Sequence, residues 1–501
     1  TPEVERIARV NRADVSAKTL NAMLATYDPH SNYFPPVDAM ELNRQTTLQL
    51  EGIGVSIRPD RGNEDYTKIE TIVDGGPASK TGQVKSGDRI IGVAQDGEKM
   101  VDVIGWPSSE IVGLIRGKRG TKVTVKLLGA GAAMSQARSV TIVRDVIQEE
   151  DAGVRSRTVE ITRDGKKHVF GVVEIPSFYL NYRARRAGAD YRSVSEDTNK
   201  ALQTLANKNV EGIIIDLRNN PGGSLEEVAK MLGQVIKSGP VVQIRDGNGN
   251  VSVFEDTDGG KQTYAGPLAV MINLASASAS EIYSAAIQDY GRGIVIGSTT
   301  TGKGTAQVQL DTLAHGQATL TQRKFYRVTG GSTQNKGVIP DIKLVDIYDE
   351  EFGERKAKNA LVWDTIATTP FKREGEIESY IPSLSAKSKQ RVDADAQFEY
   401  LEARKMIAQV AKEQKKIVLD IDKRKAELIA LEQKTLDAEN KRRTETGKKP
   451  YPNWESYQAS MDALVESRSK IKANQRPALP EEETFVTEAA NVLLDLNHLK
   501  K

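Results

Sequence analysis

A serine in a segment of small residues is the first residue of this chain whose setting suits covalent chemistry. Ser278 lies in Leu274–Ile282, which follows the apolar run Leu268–Ile272 and opens a predicted helix that runs to about Tyr290. A serine at such a strand-to-helix turn has an exposed hydroxyl beside free backbone N–H groups that can bind an oxyanion. The position suits a nucleophile, although serine is also favoured as an ordinary helix N-cap.

A serine hydroxyl needs a base, and the sequence offers a lysine in place of a histidine. No histidine lies between His168 and His315, and His315 stands in a predicted loop. Lys303 follows the next strand in Thr301–Gln307 (T-G-K-G-T-A-Q), where flanking glycines let the backbone turn inward. A desolvated lysine has a lowered pKa and can accept a proton. Gln307 is placed to hydrogen-bond the amine without adding charge.

A glycine turn supplies the third part of a candidate site. Asp216–Ser224 (D-L-R-N-N-P-G-G-S) comes directly after the predicted strand Ile213–Ile215. Its glycines expose backbone N–H groups of the kind that stabilise an oxyanion in acyl transfer, and the N–H of Ala279 is the expected second donor. Taken alone, such a turn is also typical of an ordinary strand-to-helix connection.

Three kinds of segment must position these residues. Apolar strand-like runs alternate with helices over about residues 168–345, which is typical of an α/β core. Residues 50–144 carry short β-branched runs punctuated by glycine, with one helical stretch at Ser109–Ile115, and predict a small β-rich module. After Glu350 the chain is rich in Lys, Glu, Ala and Gln and predicts a helical hairpin broken at 447–450.

The helical tail carries a coiled-coil-like seam. Its positions are spaced by alternating steps of three and four residues: Ile407, Val410, Gln414, Ile417, Ile421, Arg424, Leu428 and Leu431. Such a seam either packs back on the body of the protein or offers a surface for an adaptor or for self-association, because the spacing does not reveal which helix it meets.

Composition excludes several other classes of protein. The chain has 501 residues, with 70 Lys and Arg against 68 Asp and Glu, so its net charge of +2 gives no field for nucleic acid. The absence of cysteine removes disulfides, thiolate nucleophiles and Cys-ligated zinc, and no H-E-x-x-H pair is present. No apolar run reaches the length of about 18 residues that a membrane span needs. We expect a soluble chain, mature or trimmed, with no metal, cofactor, nucleic-acid partner or membrane span.

The motifs D-L-R-N-N-P-G-G, S-A-S-A-S-E-I and T-G-K-G-T-A-Q, in this order, resemble the carboxyl-terminal processing peptidases, and most of all their tail-specific protease branch. The resemblance spans about residues 20–345, with further matching stretches at Asp28–Tyr33, Leu50–Gly54 and Lys324–Ile342. It implies a serine endopeptidase with a core of the ClpP/crotonase-like type. It also implies export to the bacterial periplasm, which the absence of cysteine permits.

The resemblance implies a role for each residue of the candidate site. It makes Ser278 the nucleophile, Lys303 the general base and Gln307 the residue that positions this base. The implied oxyanion donors are the N–H groups of Gly223 and Ala279, with Gly222 as the neighbouring candidate.

The β-rich module resembles a bacterial PDZ domain through Gly52–Val55, Gly75–Ala78 and Ser86–Ile90. A glycine-containing loop of this type presents adjacent N–H groups to a terminal carboxylate, while the bound peptide adds as a strand beside the sheet. The helix from Ser109 is expected to wall an apolar side-chain pocket. The predicted peptide-binding residues are Gly52, Ile53, Gly54, Val55, Ile111 and Ile115.

These observations predict a multidomain α/β (α+β) chain with an inserted PDZ domain. The expected divisions are an N-terminal helical segment (1–45), the PDZ domain (46–145), a serine protease core (146–348) and a charged helical C-terminal domain (349–501). We expect the PDZ domain to recognise apolar carboxyl-terminal tails of unfolded or tagged polypeptides, and the core to cleave them through an acyl-enzyme.

Two alternatives from other classes stay open. A PDZ scaffold or holdase would bind tails without cutting them. A crotonase-type acyl-CoA enzyme would share the fold and the oxyanion hole. Fold analogy alone does not choose among these functions.

Overall fold

The structure is a computed structural model of the chain. It describes residues 12–60, 65–129, 131–148, 152–188, 190–255, 262–310, 313, 315–348, 352–413, 416, 418–469, 471 and 479–500. The described residues of 35–150 form one compact unit, and those of 1–34 and 151–501 form a larger one. The finer division into four domains stays a prediction.

The larger unit begins with helix α1 (Arg12–Leu24) and strand β1 (Asn32–Phe34). The chain then enters the smaller unit, whose elements are α2 (Pro36–Thr47), β2 (Gln49–Gly52), β3 (Val55–Pro59), β4 (Thr67–Ile72), α3 (Pro77–Thr81), β5 (Arg89–Gln95), β6 (Val101–Asp102), α4 (Ser108–Ile115), β7 (Lys122–Leu128), β8 (Arg138–Val143) and β9 (Asp145–Gln148).

The smaller unit is the predicted β-rich module. Strands β3, β4, β5, β7 and β8 form an antiparallel sheet in that order, with β6 beside β5, and β2 pairs separately with β9. The sheet, α3 and α4 enclose a hydrophobic core of Ile, Val and Leu side chains, because their apolar residues fall on the enclosed faces. The predicted module is confirmed, and so is its helix, which spans Ser108–Ile115, but the short helix α3 (Pro77–Thr81) is an addition that the sequence did not predict.

After the smaller unit the chain returns to the larger one and forms the mixed α/β region. Its elements are β10 (Arg155–Arg163), β11 (Lys166–Glu174), α5 (Tyr182–Arg186), α6 (Val194–Ala206), β12 (Ile213–Asp216), α7 (Leu225–Gly233), β13 (Pro240–Asp246), β14 (Val251–Glu255), β15 (Leu268–Ile272), α8 (Ala279–Asp289), β16 (Ile294–Gly297), β17 (Thr305–Leu310), β18 (Gln317–Tyr326) and β19 (Ile342–Lys343).

A six-stranded sheet is the centre of this region. Its order is β10-β11-β12-β15-β16-β19, and all neighbours except the first pair are parallel. Every residue of β12, β15 and β16 is buried, as expected for parallel strands covered on both faces. The predicted α/β core is therefore confirmed, and its strand ends position the segments that carry Asp216 and Ser278.

A second sheet brings distant segments of the larger unit together. Strand β18 pairs with β17 on one side, and with β1 and β13 on the other. Residues that precede the inserted unit therefore lie one strand away from β17, which continues directly from Lys303.

The remaining elements are helices α9 (Ile381–Asp393), α10 (Ala396–Glu413), α11 (Ile421–Glu445), α12 (Trp454–Ser469) and α13 (Pro480–Leu499). Helix α13 packs its apolar face on the six-stranded sheet, where Val486 and Leu493 share a core with Phe170 and Ile214. The predicted break at 447–450 is confirmed, since it separates α11 from α12. Among the described helices, none combines the length and the apolar composition needed to cross a bilayer.

The predicted continuous seam along the tail is wrong. Helix α10 ends at Glu413, and α11 begins after Asp420, whose side chain accepts hydrogen bonds from the N–H groups of Asp422 and Lys423. This cap starts a new helix where the seam spacing predicts continuation. Of the seam side chains, Val410 and Leu428 are 54% and 46% exposed, whereas Gln414 and Ile417 lie outside the described residues.

Candidate active site

Ser278 stands at the turn between β15 and α8 in a strained conformation. Its φ and ψ are 55° and −112°, a region that a residue with a side chain seldom adopts and that costs of order 1–3 kcal/mol. The N–H groups of Glu281 and Ile282 bond to the backbone carbonyl of Ser278, and the hydroxyl makes no capping hydrogen bond. Ser278 is therefore the N-cap of α8 by position, but its hydroxyl does not cap the helix and is left available.

Glu281 links Ser278 and Lys303 through hydrogen bonds to the backbone of both residues. Its Oε2 accepts hydrogen bonds from the N–H of Ser278 at 2.8 Å and from the N–H of Lys303 at 2.9 Å. Its Oε1 accepts from the N–H of Gly302 at 2.7 Å and from the hydroxyl of Thr300 at 2.6 Å. The side chain of Glu281 has no exposed surface. One carboxyl group thus fixes the backbone on both sides of the candidate site.

The charge of Glu281 is set by two opposing effects. Burial raises the pKa of this carboxyl to about 7, while its hydrogen bonds to Thr300, Gly302, Ser278 and Lys303 act to lower it. Three of these donors are backbone N–H groups, which can only donate. Their geometry favours the ionised carboxylate, because a carboxyl proton would face a donor.

Lys303 points its amine at an amide oxygen. Nζ donates to Gln307 Oε1 at 2.7 Å. The amide nitrogen of Gln307 in turn donates to the hydroxyl oxygens of Thr305 at 3.0 Å and Thr321 at 2.9 Å. The glycines beside the lysine are needed here, since a Cβ at Gly304 would lie 2.6 Å from a backbone nitrogen.

The surroundings favour the neutral form of the lysine. Burial lowers the pKa of the Lys303 amine, and the acidic groups Glu354, Glu281 and Asp28 oppose this shift. Within the described residues no hydrogen bond joins Nζ directly to Ser278 Oγ. The two residues are instead linked through the shared oxygen of Glu281. Catalytic hydrogen bonds of a free enzyme are often long and shorten when substrate binds.

The glycine turn after β12 lies against Ser278. A Cβ at Gly222 would lie 2.7 Å from Ser278 Cβ, so only glycine fits between the turn and the serine. The N–H of Gly222 is already used, because it donates to Asn220 Oδ1 at 2.8 Å. In the part of the chain that the structure describes, the N–H groups of Gly223 and Ala279 donate to no other group. Of the two glycines, Gly223 is therefore the one with a free donor.

Three residues of this site were not predicted as functional from the sequence: Glu281, Thr321 and Asp28. Asp28 is fully buried and accepts hydrogen bonds from Thr321 Oγ1 and from the N–H of Ser31. Glu281 lies within the S-A-S-A-S-E-I motif and Asp28 within D-P-H-S-N-Y, which are the signals that could have indicated them. Thr321 sits in an unremarkable strand sequence that gives no such signal.

A second candidate site lies in the smaller unit, at the loop before β3. Among the described residues, the N–H groups of Ile53 and Gly54 donate to no other group, while the carbonyls of both residues accept from Ala78 and Val73. Gly54 has a φ of 78°, which glycine adopts without strain. Strand β3 is the outer strand of its sheet and borders this loop.

The predicted pocket residues of this unit are enclosed in its core. Ile53, Ile111 and Ile115 are 2%, 0% and 5% exposed, and they pack with the sheet. The half-buried Val112 and Leu114 of α4 carry the apolar surface left on that helix. The role of Ile111 and Ile115 in a pocket that binds the tail stays a prediction.

Comparison with known proteins gives the class of each region. The pattern of Peptidase family S41 matches residues 169–344, which contain Ser278 and Lys303. The pattern of a PDZ domain matches residues 41–128, and that of the C-terminal domain of tail specific protease matches residues 347–498. The molecule is thus a family S41 peptidase fold that carries an inserted PDZ domain.

The chain belongs to the carboxyl-terminal processing peptidases of family S41, in their tail-specific branch, which confirms the resemblance found in the sequence. It is 37% identical to the tail-specific protease of Haemophilus influenzae over 89% of this chain and 63% of that protein. It is 30% identical to the carboxy-terminal processing protease CtpB of Bacillus subtilis over 68% of this chain and 65% of that protein. The chain therefore spans less than two thirds of these relatives.

A solved structure, the photosystem II D1 C-terminal processing protease, is 26% identical to this chain, with a TM-score of 0.38, covering 70% of this chain and 88% of that chain.

Proposed function

We propose that this chain is a serine endopeptidase that cleaves polypeptides through a Ser278/Lys303 dyad. The observation that carries the proposal is the shared bonding to Glu281, whose single oxygen holds the N–H groups of both residues. This arrangement places a strained serine and a half-buried lysine on one rigid support, with two free N–H donors beside the serine.

In this mechanism the neutral Lys303 amine removes the proton from Ser278 Oγ, which attacks the carbonyl carbon of the peptide bond. The carbonyl oxygen becomes an oxyanion that the N–H groups of Gly223 and Ala279 stabilise. The protonated lysine then gives its proton to the leaving amine. Water releases the acyl group in a second step, with Lys303 again accepting a proton and Gln307 orienting the amine throughout.

The smaller unit supplies recognition in this proposal. An apolar carboxyl-terminal tail would add as a strand beside β3, while its terminal carboxylate binds the free N–H groups of the loop Gly52–Val55. Binding of the tail raises the effective concentration of the rest of the substrate near the peptidase. The similarity to the tail-specific branch supports a periplasmic location, and adaptor binding or self-association through α10–α12 stays a prediction.

The test uses a loosely folded protein with an apolar tail, the same protein without the tail, and the parent and Ser278→Ala chains. The parent should cleave the tailed substrate fastest, and Ser278→Ala should bind it without cleaving it, as followed by mass spectrometry of the products. A serine-directed fluorophosphonate should label the parent at Ser278. Cleavage by Ser278→Ala at the parental rate would overturn the proposal.

The same experiment separates the two alternatives. A scaffold or holdase would bind the tail and leave the substrate intact with both chains. An acyl-CoA enzyme would bind coenzyme A, which isothermal calorimetry would detect, and would show no preference for the tail.

A further inference from the structure

A chain of four side chains runs from the segment before the inserted unit to the lysine. Asp28 Oδ2 bonds to Thr321 Oγ1 at 2.5 Å, Thr321 Oγ1 to Gln307 Nε2 at 2.9 Å, and Gln307 Oε1 to Lys303 Nζ at 2.7 Å. Asp28 and Thr321 are 0% and 5% exposed, so water does not compete for the bond between them, and Gln307 and Lys303 are half-buried. The chain is therefore a fixed part of the fold.

The carboxylate at one end gives this chain a direction. An ionised Asp28 can only accept, and its other oxygen already accepts from the N–H of Ser31 at 2.9 Å. The hydroxyl of Thr321 must then donate its single proton to Asp28. The lone pairs of Thr321 Oγ1 are left to accept, and they receive the amide nitrogen of Gln307.

The direction of the threonine decides the orientation of the glutamine. The amide of Gln307 has one end that donates and one that accepts, and the two ends have nearly the same shape. Because Thr321 and Thr305 both receive the nitrogen end, the oxygen end must face Lys303. A reversed amide would direct its oxygen toward a hydroxyl whose proton is already committed to Asp28.

The orientation matters because a neutral amine has a single lone pair. When Gln307 presents its oxygen, it accepts an N–H of the lysine and leaves the lone pair free to take the proton of Ser278. A reversed Gln307 would present an N–H to the amine and would occupy that lone pair. The amine would then be neutral but unable to act as a base.

We propose that Asp28 is a positioning residue that, through Thr321, sets the orientation of Gln307 and so keeps the lone pair of Lys303 available to Ser278. The inference deepens the proposed function and rests on it. It also assigns a role to the segment Asp28–Phe34, whose strand β1 pairs with β18 at Thr319 and so holds Asp28 beside Thr321.

The experiment compares Thr321→Val, which replaces the hydroxyl with a methyl group, with Thr321→Ser, which keeps it. Thr321→Val should lower kcat about tenfold, the equivalent of one hydrogen bond, and leave KM unchanged because Thr321 does not reach the substrate. Thr321→Ser should keep kcat near the parental value. Thermal unfolding checks that each variant is folded.

Thr319→Val is the matched control. Thr319 lies on the same face of β18, and its hydroxyl donates to the carbonyl of His30 at 3.0 Å, so the variant loses one bond to the same segment without touching Gln307. Its kcat should equal that of the parent. In a Gln307→Ala background, Thr321→Val should cause no further loss, since its effect passes through Gln307.

Asp28→Asn is a second test variant, because the amide that it introduces can donate a hydrogen bond to Thr321 and so permit the reversed orientation of Gln307. Its kcat should fall at least as far as that of Thr321→Val. A parental kcat in Thr321→Val, an equal loss in Thr319→Val, or an undiminished effect in the Gln307→Ala background would overturn the inference. Cleavage by the parent no faster than by Ser278→Ala would instead overturn the proposed function, and the inference with it.

Discussion

Among the described residues, the glycine turn of the larger unit and the loop Gly52–Val55 of the smaller unit both leave backbone N–H groups free, but their hydrogen bonds differ. In the first, side-chain hydrogen bonds are added to the backbone ones, since Asn220 accepts from Gly222 and Glu281 accepts from the neighbouring Ser278. In the second, the hydrogen bonds are backbone ones, to the carbonyls of Ile53 and Gly54.

In the proposed function, the difference follows from what each set of donors binds. An oxyanion exists only during the reaction, so its donors must already point to the right place, and buried side-chain bonds keep them there. A tail carboxylate is present in the free peptide, and a loop fixed by backbone contacts can receive it. The comparison therefore predicts large effects on kcat in the first region and moderate effects on affinity in the second.

The substitution Glu281→Gln gives the strongest test of this contrast, because it changes the side chain that holds the first set of donors. The amide nitrogen would face backbone N–H groups that now donate to an oxygen, and buried donors would be left unpaired. We expect kcat to fall by about 100-fold, the equivalent of roughly 3 kcal/mol, with a lowered melting temperature. Glu160→Gln, on an exposed strand position, is the charge-matched control. A parental kcat in Glu281→Gln would contradict this account of the site.

The pH profile tests the lysine at the centre of the first region. Lys303 is a base only when neutral, and burial lowers the pKa of its amine. Below that pKa, kcat/KM should fall about tenfold for each unit of decreasing pH, and it should rise with pH until the lysine is neutral. Lys303→Arg should be inactive across the range. A profile with its acid limb at the ordinary lysine pKa would show that the amine is not desolvated.

Asn220→Ala tests the side chain that holds the glycine turn. The variant frees the N–H of Gly222 and loses the bond from Asn220 Nδ2 to the carbonyl of Ile175 at 2.8 Å. We expect a loss of about tenfold in kcat with little change in KM, measured on a short peptide substrate. A change confined to KM would mean that the turn binds the ground state and not the oxyanion.

The smallest expected effect lies in the smaller unit. Gly54→Ala forces a side chain into a left-handed conformation, which costs roughly 1–2 kcal/mol, and should weaken tail binding by about fivefold. Its kcat on a substrate without a tail should be unchanged. Gly97→Ala imposes the same strain at φ 77°, away from this loop, and should leave tail affinity intact. Equal losses in both variants would mean that the effect is one of stability.

Much of the fold could be predicted because its local signals agree with its long-range packing. The parallel strands read as unbroken apolar runs, and the PDZ strands as β-branched runs between glycines. The hairpin of α10 and α11 could not be predicted in the same way, because the spacing of apolar residues is continuous through the point where Asp420 starts a new helix. The spacing of apolar residues indicates which face of a helix is buried, but it does not indicate where the helix ends.

The residues of the candidate site also fall into two groups, those that the sequence indicates and those that only the fold brings together. Ser278, Lys303 and Gln307 stand in motifs whose residue types suggest their chemistry. Asp28 and Thr321 are separated by 293 positions, and their contact depends on β1 lying beside β18. A sequence without coordinates gives no reason to place these two residues together, and so the support for Gln307 was not foreseen.

The packing of helix α13 on the six-stranded sheet has a consequence for how this sheet is completed. The apolar face of the sheet is covered by Pro480–Leu499, which stands far along the chain from β11, β12 and β15. A chain whose synthesis or cleavage stops before this helix would leave that face exposed to water, and exposed apolar surface makes a partly folded chain prone to aggregate. The sheet is therefore completed by its most distant partner in the sequence.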